Sequence, residues 1–193
     1  MKRILGLDLS SSKIGYCIID TSFKDDKKFL DYGYIDVDKL VVKKNTEADY
    51  YNIINKSNLS FEKLKEIITS YNITHVYIEE PVNKFKTGSS SIDTIIKTNL
   101  FNYTLSNNIF SLMNKKPNHV PASTARAKVF GKGFNVKGKE WDIKEKVFNQ
   151  LCVINKNFES LLMNTNKNGN IHKWVFDISD SIVIALYGEL KEK

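Results

Sequence analysis

At 193 residues, with 41% hydrophobic and 26% charged side chains, the chain is long enough to bury a core as a single domain over 1–193 and too apolar to be disordered. No apolar run approaches the roughly 20 residues of a membrane helix. Met1-Lys2-Arg3 runs into Gly6 and Asp8 too soon for a signal peptide, and two cysteines, Cys17 and Cys152, make no disulfide framework, so a cytoplasmic protein without a membrane span is expected. The net charge is +7: residues 81–150 hold 12 Lys/Arg against 4 Asp/Glu, and the remainder hold 17 against 18. That asymmetry points to a polyanionic partner, nucleic acid or a membrane surface, with a merely solvated lysine surface as the plain alternative.

In chain order, Ile4-Leu5-Gly6-Leu7-Asp8 is an apolar run ending in a carboxylate, Leu9 to Lys13 is a small polar turn, and Ile14 to Asp20 is a second strand. Together they read as a β-hairpin. The first strand is apolar enough to be covered on both faces, which makes it central in its sheet. Phe29–Asp36 (FLDYGYID) alternates as a third, antiparallel strand. Asp38 to Asn58 is polar and without period, a loop with at most a short helix. Ser60 then reads as the N-cap of a helix carrying Phe61, Leu64, Ile67 and Ile68 and ending near Ser70 to Asn72. Val76 to Ile78 is strand-like and is stopped by Pro81. A helix between the third strand and this one is a crossover, so the fourth strand should run parallel to the first. Asp8 and Glu79 then share the carboxyl end of neighbouring strands, where ligands of such sheets bind.

Val82 to Ser91 is a basic Gly/Ser-rich loop. Ile92 to Met113 is a long helix with more apolar positions than one stripe needs, hence central or part of an oligomer interface. Asn118 to Pro121 is a short edge strand. Ser123 or Thr124 is the expected cap of a short helix through Val129, and Phe130 to Asp142 (FGKGFNVKGKEWD) is a glycine-, lysine- and aromatic-rich loop. Ile143, Val147, Phe148 and Leu151 mark another helix. Asn155 to Asn170 is expected to loop out, and Val175 to Leu190 is a final helix.

Four acids stand out: Asp8, Glu79, Asp177 and Asp180. The last two are three apart and share a helical face, although two acids near a helix N-terminus are also what its dipole favours. An Asp that follows a strand can likewise just cap a turn. Converging carboxylates cannot all stay ionised without cations, and oxygen-rich clusters suit Mg²⁺ or Mn²⁺. The three histidines, His75, His119 and His172, lack zinc spacing.

The order strand-Asp, hairpin, strand-Glu and late helical Asp-x-x-Asp resembles the ribonuclease H-like nucleases. Within them the chain looks like the RuvC-type Holliday junction resolvases, especially the divergent phage ones, through ILGLDLSSSKIGYCIID, VYIEEP, STARAKVFGKG with DIKEKV, and FDISDSIVIAL. The resemblance implies a ribonuclease H-like α/β fold, a mixed five-stranded sheet of three antiparallel strands and then parallel ones, flanked by helices. It implies that Asp8, Glu79, Asp177 and Asp180 bind two Mg²⁺ ions, with Mn²⁺ as a substitute, and hydrolyse a phosphodiester to leave 5′-phosphate and 3′-hydroxyl. The position matching Asp177 can be His in the family. Glu80 rivals Glu79; the family pattern of Ile followed by the acid favours Glu79, and because adjacent strand side chains oppose each other only one of the two should face the metals. The resemblance also implies a homodimer through the helix of Ile92–Met113, acting on four-way or other branched DNA.

Arg126 and Lys144 match family residues that contact the scissile DNA. Lys84, Lys86, Lys132, Lys137 and Lys139 are further phosphate contacts or simply solvated lysines. Phe85 either stacks on bases or packs under its loop. Residues 38 to 58 and 152 to 170 depart from the better-known bacterial members, which puts strict junction specificity in doubt. The rival functions are a ribonuclease H-type hydrolase of RNA–DNA hybrids, an actin-like nucleotide-binding protein, and a DNA-binding structural protein that has lost catalysis. The short chain argues against the second and the four acids against the third.

Overall fold

The computed structural model describes residues 2–40, 49–81, 92–132, 134 and 140–193. Its frame is one five-stranded sheet: β1 (Arg3–Leu9), β2 (Lys13–Asp20), β3 (Phe29–Asp36), β4 (His75–Glu79) and β5 (Asn118–Val120). The spatial order is β3-β2-β1-β4-β5. β1–β2 and β2–β3 are antiparallel, whereas β1–β4 and β4–β5 are parallel. The mixed sheet and the central place of β1 are as the sequence leads one to expect. The serine turn closes through Ser10, whose hydroxyl donates to the Lys13 carbonyl at 2.7 Å and accepts from the Lys13 amide at 3.0 Å.

Side-chain alternation sorts the strands onto two cores. Leu5, Leu7 and Leu9 of β1, with Val76 and Ile78 of β4, face one layer, which includes Leu64, Ile68, Phe101, Leu105 and Ile109. That layer is built by α2 (Asp49–Ser70) and α3 (Ile92–Met113). Ile4, Cys17, Ile19 and Tyr77 face the other layer. It holds α4 (Ala122–Phe130), α5 (Glu140–Ile154) and α6 (Lys173–Glu192), while the one-turn α1 (Val37–Leu40) follows β3. Among the described residues, no helix is long and apolar enough to cross a membrane.

Several boundaries differ from the sequence expectation. Helix α2 starts at Asp49, not near Ser60. Ser60 is buried inside it and donates its hydroxyl to the Lys56 carbonyl one turn back at 2.7 Å, a bond that satisfies a mid-helix serine as well as a cap would. The neighbouring Ser57 donates to the Phe101 carbonyl at 3.1 Å and ties α2 to α3. In α4 the cap position is Pro121, with no side-chain cap, and Ser123 and Thr124 sit within the first turn. Proline is extended there and lacks the amide that a cap would leave free.

The stretch Asn155 to Asn170 folds back instead of looping out. Asn155 caps a 3₁₀ helix, Lys156–Met163. From it Phe158 is fully buried, edge-on to Phe29 at 5.1 Å and Tyr32 at 5.2 Å on β3. The polar composition conceals one aromatic anchor. Both cysteines are free; Cys17 is buried and Cys152 is half-buried.

Candidate active site

Three elements deliver three carboxylates to one point. β1 and β4 are in register at Leu7 and Ile78, so Asp8 and Glu79 follow side by side. Tyr77 faces the α6 layer, and the two-residue period of a strand puts Glu79 on that same side and Glu80 on the other. Glu80 lines a separate cavity with Tyr103, Phe110 and His119. Helix α6 supplies the third acid, Asp180. Ligand oxygens of Asp8, Glu79 and Asp180 lie within 4.8 Å of one another.

Glycine lets α6 come this close. A Cβ on Gly15, the residue opposite Asp8 in the hairpin, would stand 2.1 Å from the Asp177 carbonyl oxygen. One on Gly6 would stand 2.4 Å from the Ser181 carbonyl oxygen. Both distances are impossible for real atoms, so the two glycines set the depth at which α6 docks on β1 and β2. Asp177 is not within the 4.8 Å grouping. It lines an adjoining groove and adds its charge to those acting on Asp8 and Glu79.

The electrostatics are those of crowded, partly desolvated acids. Burial, then Glu79, Asp180 and Asp177, push Asp8 well above the usual carboxylate range, and Lys144 opposes them. Glu79 is pushed up to about 7 by burial and then Asp180, against Arg126 and Lys144. Burial also raises Asp177, with Lys144 opposing and Asp180 adding. Among the described residues, two cations stand against the cluster. Arg126 of α4 donates to Asp180 at 2.7 Å, and Lys144 of α5 lies 4.0 Å from its second oxygen. Burial opposes the Arg126 charge, but Asp180, Glu79 and Asp8 hold it above its ordinary value. The Arg126 Nε is buried and has no hydrogen-bond partner among the described residues.

This set fits divalent cations. All donors are carboxylate oxygens, the kind Mg²⁺ and Mn²⁺ take. Asp8 and Glu79 carry raised pKa values that a bound cation would bring down.

No protein-family model matches the sequence, and no curated protein matches it. Solved structures do match in shape. Thermus thermophilus RuvC superposes with a TM-score of 0.62 at 12% identity, over 98% of this chain and 95% of that one. The fold is that of the RuvC resolvases. T. thermophilus RuvC in complex with a Holliday junction substrate gives a TM-score of 0.61 at 10% identity, covering 100% and 96%. The yeast mitochondrial Holliday junction resolvase gives 0.61 at 16%, covering 99% and 81%. The mixed sheet flanked by helices is thus the ribonuclease H-like arrangement that the motifs imply.

Of the basic residues singled out in the sequence, Arg126 and Lys144 stand against the acids. Lys132 is exposed just beyond α4. Lys84, Phe85, Lys86, Lys137 and Lys139 lie outside the described residues. Sequence reasoning missed the aromatic wall beside the cluster, where Trp174 lies near-parallel to Tyr34 at 4.6 Å and to His172 at 5.8 Å. Its signal, a tryptophan three residues before Asp177, was available.

Proposed function

We propose that this chain is a metal-dependent endodeoxyribonuclease that cuts four-way junctions or other branched DNA as a homodimer. The observation that carries this is the meeting of Asp8, Glu79 and Asp180, from three distant parts of the chain, on a RuvC fold. Asp8, Glu79, Asp177 and Asp180 hold two Mg²⁺ ions, with Mn²⁺ able to replace them. When bound, the ions supply activation of water and stabilisation of the attacking and leaving oxygens in phosphodiester hydrolysis. Arg126 and Lys144, which balance Asp180, also balance the phosphate. Lys132 and the lysines at 84, 86, 137 and 139 track the DNA backbone, and Phe85 stacks on bases at the branch.

The homodimer is supported by α3. Its exposed apolar residues include Ile92, Ile96, Tyr103 and Phe110, which follow one another at steps of four and seven and so form one stripe. A two-fold axis on that stripe would set the two acid clusters toward opposing strands.

The test incubates purified protein and Mg²⁺ with labelled four-way, three-way, flap and linear DNA and an RNA–DNA hybrid. Branched DNA should be cut in preference, and Asp8→Asn should abolish cutting while binding persists. Preferential cutting of the hybrid would shift the reading to a ribonuclease H. Normal cutting by Asp8→Asn would remove Asp8 from the chemistry.

A further inference from the structure

Beside the acid cluster runs an open groove of about 1140 Å³, lined in part by Lys13, Lys144, His172, Lys173, Trp174 and Asp177. Its volume exceeds the roughly 300–1,000 Å³ of small-ligand sites, so it suits a piece of polymer. It adjoins the cluster at Asp177, whose charge acts on Asp8 and Glu79, and at Lys144, 4.0 Å from Asp180. We propose that this groove holds the DNA strand next to the cleaved phosphate, with the base of one flanking nucleotide stacked on the His172–Trp174 wall. The inference rests on the nuclease reading and names a binding site within it.

The wall is organised for stacking. Tyr34 of β3 lies near-parallel to Trp174, with 18° between the ring planes, and is not part of the groove lining. It therefore backs the indole, which is half-buried against the core. His172 also lies 18° from the Trp174 plane. It occupies the cap position of α6, where its side chain makes no capping hydrogen bond among the described residues. Aromatic faces held from behind are what sequence-tolerant base stacking uses.

The charges suit a phosphate track. Lys13 is engaged by Asp36 at 2.5 Å, and Asp38, also on the lining, is engaged by Lys56 at 3.0 Å. Lys173, exposed at the start of α6, faces backbone phosphates, and Lys144, 4.0 Å from Asp180, adds its charge where the groove meets the acids. Asp177 belongs to the acid set.

The test uses the full chain with Trp141→Phe, which leaves Trp174 as the sole tryptophan, since the chain has two. A four-way junction is added in EDTA, and Trp174 emission and affinity are measured. Emission should be quenched, and His172→Ala or Trp174→Leu should bind roughly tenfold more weakly, as loss of one stacked base implies. An abasic nucleotide is then walked across the cleavage site. At one position beside the cleaved phosphate it should erase the difference between wild type and His172→Ala, a coupling that a purely structural wall would not show. If Trp174→Leu does not fold, His172→Ala and the abasic walk decide. No quenching, or a His172→Ala penalty indifferent to every abasic position, would overturn the proposal. A wild-type protein that cuts branched DNA in Mg²⁺ without those effects sinks the stacking site alone, and one that cuts no branched substrate sinks the nuclease reading with it.

Discussion

Glu79 shows how one residue carries both a fold and a function. Its carboxyl is pushed from the ordinary 4.5 to about 7 by burial and by Asp180. A folded-state value above the unfolded one favours folding fully only below about pH 4.5, and this contribution fades as pH rises through about 7. Metal-free protein should therefore lose roughly 3 kcal/mol of relative stability across that window through Glu79. Denaturant titrations in EDTA should show Glu79→Gln gaining on wild type from pH 4.5 to 7.5, and Mg²⁺ should restore the wild type at the upper end. An unchanged difference across pH would mean that Glu79 is not crowded. The choice of Glu79 over Glu80 was legible from the family pattern of Ile followed by the acid; strand alternation says only that one of the two faces the cluster, and the side on which Tyr77 packs, which fixes the parity, comes from the fold. The engagement of Arg126 with Asp180 was not, because 54 residues separate them and no local pattern records that distance.

Among the elements, α6 has the largest part. It packs on β1 and β2 through Gly6 and Gly15 and so decides whether Asp177 and Asp180 reach Asp8. Gly15→Ala forces a methyl into the Asp177 carbonyl, and overpacking of this kind costs about 1–3 kcal/mol. The variant should melt lower and cut DNA far more slowly, whereas Gly169→Ala, in an open turn, should lose some stability and little activity. Equal activity of Gly15→Ala and wild type would show that the docking depth of α6 does not matter. The apolar runs of β1, β2 and β4 and the length of α3 were readable because their periods are long and uninterrupted. The early start of α2 and the 3₁₀ helix at Lys156–Met163 were not. Their sequences are polar, and a few buried contacts, such as Ser57 with Phe101 and Phe158 with Phe29, outweigh local composition.

For the molecule as a whole, the account needs two chains and two ions. The stripe on α3 exposes Ile96 and Phe110, and a charge placed there should repel a partner without touching the acids. Ile96→Glu with Phe110→Glu should sediment as a 22.2 kDa monomer, lose paired incision of a junction and still bind metal; a dimer that survives the double change would place the interface elsewhere. The positive middle third of the sequence fits a DNA partner, but charge alone does not say where cutting occurs. That depends on whether Asp8, Glu79, Asp177 and Asp180 share a pair of ions. Electron paramagnetic resonance of the protein titrated with Mn²⁺ in the presence of junction DNA addresses this most directly. The account predicts two bound ions per chain, coupled as a pair about 4 Å apart, with the coupling lost in Asp8→Asn. Isolated, uncoupled Mn²⁺, or a paired signal that Asp8→Asn leaves intact, would contradict it.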